Sequence, residues 1–67
     1  MGNRELLERL EQTHKWTAEA ILKLRELIEN ESKFTPEAVA EMRENILQKV
    51  QLNISEMEIL ALELGAE

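Results

Sequence analysis

The 67-residue sequence predicts an all-α fold, an antiparallel helical hairpin that dimerises into a four-helix bundle. Three observations lead there. Apolar residues recur at alternating steps of three and four along most of the chain, which is a helical period. All fourteen acidic residues are glutamate, a good helix former, where aspartate is a poor one. The single proline sits in Thr35-Pro36-Glu37, between two long periodic stretches.

The first helix is expected over about residues 3–30, with Asn3 as N-cap and Glu5 and Glu8 near the positive helix end. Leu7, Leu10, His14, Thr17, Ile21, Leu24 and Ile28 follow steps of three and four and form its a/d seam. Leu6, Thr13, Ala20 and Leu27 add a flanking row that widens the seam into the stripe of a bundle helix. The segment Asn30-Glu31-Ser32-Lys33-Phe34 breaks the pattern and supplies the turn.

The second helix is expected over about residues 35–64. Thr35 caps it, Pro36 occupies the first helical position where its missing N–H costs nothing, and Glu37 faces the helix dipole. Phe34, just before the cap, is placed to pack on Val39 or Ala40. The buried row is Val39, Met42, Ile46, Val50, Asn53 or Ile54, Met57, Leu60 or Ala61, and Leu64, with Gly65 placed to end the helix. Ser55-Glu56-Met57-Glu58 also fits a capping box, which would break this helix near Ser55 and start a third.

Folding the chain back on itself sets residue i beside roughly 65 − i. His14 and Thr17 then lie level with Asn53, so the polar residues of both seams meet in one layer. Such a layer fixes register at some cost in stability. If it is buried, protonation of His14 loosens the assembly at mildly acidic pH.

Composition narrows the function. Residues 1–67 make a single domain, and a chain this short seldom gains more than a few kcal/mol from one core, so self-association is a common solution. Without cysteine there are no disulfides and no thiolate metal sites. No run approaches the length of a membrane span, and Asn3-Arg4-Glu5 is not the start of a secretory signal, so a cytoplasmic protein with no membrane partner is expected. A net charge of −6 disfavours nucleic acid and anionic lipid as partners.

A lone hairpin needs one apolar stripe per helix, and this chain has more. Leu52, Ile59 and Leu62 lie outside the main stripe of the second helix, and Trp16 lies at the edge of the first. A row of this kind on a charged helix marks an interface. These four residues are the expected protein interface, for a second copy of the chain and for another protein.

Chemistry has little material. Glu11-x-x-His14 has the helical spacing of di-iron carboxylate bundles, but the second helix offers Val50, Gln51, Asn53 and Ile54 at that level, where a glutamate is needed. Ser32 and Ser55 lack the base and orienting group of a nucleophile. No catalytic residue, cofactor or metal is therefore expected. The sequence reads as a non-enzymatic oligomerisation and protein–protein interaction module: an adaptor, docking element or small regulator. The competing reading is a small regulator directed to nucleic acid through Arg4, Arg9, Lys15, Lys23 and Arg25, or one that mimics nucleic acid through its glutamates.

Overall fold

The computed structural model describes residues 2–66. Two helices, α1 (Gly2–Glu29) and α2 (Pro36–Gly65), run antiparallel and pack along their length, joined by a 3₁₀ turn (Glu31–Lys33). The hairpin is a slender plank whose Cα atoms extend 50 × 14 × 11 Å. Among the described residues neither helix is long and apolar enough to cross a membrane.

The turn explains where α1 stops. Asn30 bonds back to the helix twice over: its backbone N–H donates to the carbonyls of Glu26 (3.0 Å) and Leu27 (3.2 Å), and its side-chain Nδ2 donates to Glu26 at 2.7 Å. Lys33 and Phe34 N–H groups then reach the carbonyls of Asn30 and Glu31. Thr35 restarts the helix as its motif requires. Its backbone is extended, its Oγ1 accepts from the N–H of Ala38 at 3.2 Å, and Pro36 follows at the first helical position. Phe34 lines a cleft with Val39 and Ala40 and stays half exposed.

Three local expectations are corrected. Asn3 lies inside α1, which already begins at Gly2, and so does not cap it. α2 is continuous from Pro36 to Gly65, so Ser55 is carried within it and starts no third helix. Gly65 is the last helical residue but does not use a positive φ; the stop comes from Ala66, whose backbone is extended and whose N–H donates to Glu63.

The largest correction is the phase of α1. Its buried positions are Thr13, Thr17, Ala20 and Leu27, with Leu6, Leu10 and Leu24 half-buried beside them. The row first expected to flank the seam therefore lies within it. The row of Leu7, His14, Ile21 and Ile28 is exposed. Desolvation accounts for the choice. A threonine inside a helix can satisfy its own hydroxyl, and Thr17 does so by donating to the carbonyl of Thr13 at 2.8 Å. An imidazole at His14 has no such local partner. Small side chains at 13, 17 and 20 also let the two backbones approach closely.

On α2 the ambiguous pairs are resolved the same way. Asn53 and Leu60 turn inward, while Ile54 and Ala61 turn out. The polar layer is thus Thr13, Thr17 and Asn53, and His14 lies outside it.

Candidate association surface

The intramolecular core is thin. Its buried apolar residues are Ala20, Leu27, Val39 and Leu60. The accessible surface is 5518 Å², against about 4,400 Å² for a compact monomer of 7.8 kDa. Among the described residues eleven large apolar side chains are exposed.

One broad face of the plank carries an ion pair between the helices. Arg9 Nη2 donates to Glu56 Oε1 at 3.0 Å, which confirms the register, since 9 pairs with 65 − 9. A cleft on the same side is floored by Ala20 and Ile46 and lined by Trp16, Glu19, Lys23, Asn45 and Lys49. In an antiparallel pair, matching flanks of the two helices share a side. The opposite flanks therefore make up the other broad face. On α1 these are Leu7, His14, Ile21 and Ile28; on α2 they are Ala40, Leu47, Ile54 and Ala61. Both rows repeat every seven residues.

Register makes the rows interleave. Ala40 falls between the levels of Ile28 and Ile21, Leu47 between Ile21 and His14, and Ile54 between His14 and Leu7. The result is one zigzag ladder of side chains with a single polar member at its middle. Its five large members, Leu7, Ile21, Ile28, Leu47 and Ile54, are between 42% and 53% exposed. Each already buries its inner half against the hairpin and offers the other half outward. Arg25 and Arg43 lie along this face together with Glu11 and Glu44, so both signs of charge border it.

The residues singled out from sequence fall elsewhere. Leu52, Ile59 and Leu62 point away from α1, on the back of α2, and two of them, Leu62 (75%) and Leu52 (71%), are the most exposed large apolar residues described. Trp16 lies in the cleft with Ala20 and Ile46, and Leu52 in a separate shallow groove with Gln48, Gln51 and Ser55. The four do not form one patch. The ladder was only half visible in sequence: its α1 row was read as the hairpin seam, and its α2 row was not read as a unit.

Asn53 is half-buried, and its Nδ2 has no hydrogen-bond partner. Three of the five basic residues of α1 are matched to glutamates: Arg4 to Glu8 (4.0 Å), Arg9 to Glu56 (3.0 Å) and Arg25 to Glu29 (3.6 Å). Among the described residues no three His, Cys, Asp or Glu side chains gather as metal ligands, and none of them joins Glu11 and His14 in such a group. No family model, curated protein or solved structure matches this chain.

Proposed function

We propose that this chain is a self-associating, non-enzymatic interaction module, two hairpins pairing through the ladder face to form a four-helix bundle. The observation that carries this is the ladder itself, two heptad rows on one side of the hairpin whose large side chains are left about half exposed. A face of 50 × 14 Å spans about 700 Å² per protomer, close to the roughly 800 Å² that each partner of a standard interface buries. In such a bundle the row 7, 10, 14, 17, 21, 24, 28 points at the common axis, which reconciles the a/d periodicity of α1 with its hairpin phase. Mixed charge along the border allows two copies to meet without like-charge repulsion. The proposed compartment is the cytoplasm, where a chain without cysteines has nothing to lose to reducing conditions.

Light scattering behind a sizing column, over a dilution series, tests this. A mass near twice 7.8 kDa is expected. Ile21→Glu and Leu47→Glu should each give monomers, whereas Leu62→Glu should leave the dimer intact. A wild-type chain that stays monomeric at every concentration, or a dimer lost with Leu62→Glu alone, overturns the reading.

A further inference from the structure

The back of α2 carries a second, separate surface. Leu52, Ser55, Ile59 and Leu62 follow steps of three, four and three, a short a/d seam whose polar member is Ser55. The hairpin buries the opposite side of the helix, where Met57 and Leu64 lie half-buried, so the seam faces directly away from α1. Its four members are exposed, and it spans about 15 Å of helix.

Its flanks say what fits. The positions bordering an a/d seam choose the partner by charge, and here they are Gln51, Glu56, Glu58, Glu63 and Gly65, three glutamates and no basic residue. From Val50 onward there is no lysine or arginine at all. Glu56 is held by Arg9, while Glu58 and Glu63 make no ion pair among the described residues. A second copy of this seam would set glutamate against glutamate, which disfavours self-pairing here, unlike the ladder face with its mixed border. We infer that this seam docks a different chain: an amphipathic helix with Leu or Ile at its own a and d positions and Lys or Arg beside them. The surface is independent of the ladder, so a dimer would present two such seams and a monomer one.

Two fluorescent 21-residue peptides test this, each with Leu and Ile at a and d, one with lysine at e and g and the other with glutamate. They are titrated into the full chain by anisotropy. The lysine peptide should bind about tenfold or more tightly than the glutamate peptide, and the gap should close as salt shortens the Debye length to about 3 Å. Ile59→Asp and Leu62→Glu should each weaken binding by about tenfold. Glu58→Lys with Glu63→Lys should transfer the preference to the glutamate peptide. The monomeric Ile21→Glu chain should bind the lysine peptide as the wild type does, which separates this test from that of self-association. Equal binding of the two peptides overturns the inference. So does absence of binding up to about 200 μM, indifference to Ile59→Asp and Leu62→Glu, or peptide-induced NMR shifts at Leu47 and Ile54 instead of Ile59 and Leu62.

Discussion

Threonine and asparagine decide more of this molecule than their number implies. Thr35 satisfies one of the orphan N–H groups at the start of α2, and its replacement by alanine leaves Ala38 without that acceptor. Thr35→Ala should cost about 1 kcal/mol in urea unfolding at fixed protein concentration. Asn53 is the opposite case, because its Nδ2 is desolvated and receives nothing in return. An unpartnered buried donor costs about 1–3 kcal/mol, and an apolar side chain of similar volume removes that cost. Asn53→Leu should therefore raise the urea midpoint, and by thermal melting it should gain about 4–8 °C per kcal/mol. A lowered midpoint would mean that Asn53 contributes a contact worth more than its unpaired amide costs.

At the scale of the helix, α2 shows its phase most sharply in two leucines two residues apart. Leu60 is 2% exposed and Leu62 is 75% exposed. Leu60→Ala opens a cavity between the helices and should cost about 2–5 kcal/mol, while Leu62→Ala should change stability by less than about 0.5 kcal/mol. Comparable losses at both sites would place the hairpin seam elsewhere. The helix–turn–helix order was legible in the sequence because its signals are local: the Thr35-Pro36-Glu37 start, the broken period at residues 30–34, and the sustained three–four spacing. Which row faces the hairpin partner was not legible. Leu7 and Leu6, Ile21 and Ala20, Ile28 and Leu27 are neighbouring pairs in which either member could face inward, and a four-helix bundle covers both. The choice is tertiary, made by the small side chains of Thr13 and Thr17, where the Thr17 hydroxyl donates to the Thr13 carbonyl, and by His14, which has no such local partner. The same limit hid the α2 row of the ladder, since Ile54 outranks Asn53 by hydropathy and yet faces outward.

For the whole molecule, His14 is the position where hairpin and bundle make different demands. It lies level with Gln51, near the middle of a plank 50 Å long. A two-fold axis can bring two hairpins together with their turns at the same end or at opposite ends. In the first case every residue meets its own level in the partner, and in the second only the mid-level residues do. His14 is close to mid-level, so both arrangements bring the two His14 side chains into one layer of the proposed dimer. Each must then give up water that it keeps in the isolated hairpin, where it is exposed. A polar pair at such a layer sets register at the expense of affinity. His14→Leu should leave the helix content by circular dichroism unchanged, because the position is outside the hairpin core. It should nevertheless shift the dimer–monomer midpoint in a dilution series to lower concentration by about tenfold or more, the equivalent of about 1.4 kcal/mol. It should also admit assemblies larger than the dimer, because one continuous apolar row no longer distinguishes one register from the next. An unchanged midpoint would mean that the two-fold axis keeps His14 in solvent and that the ladder pairs off-centre.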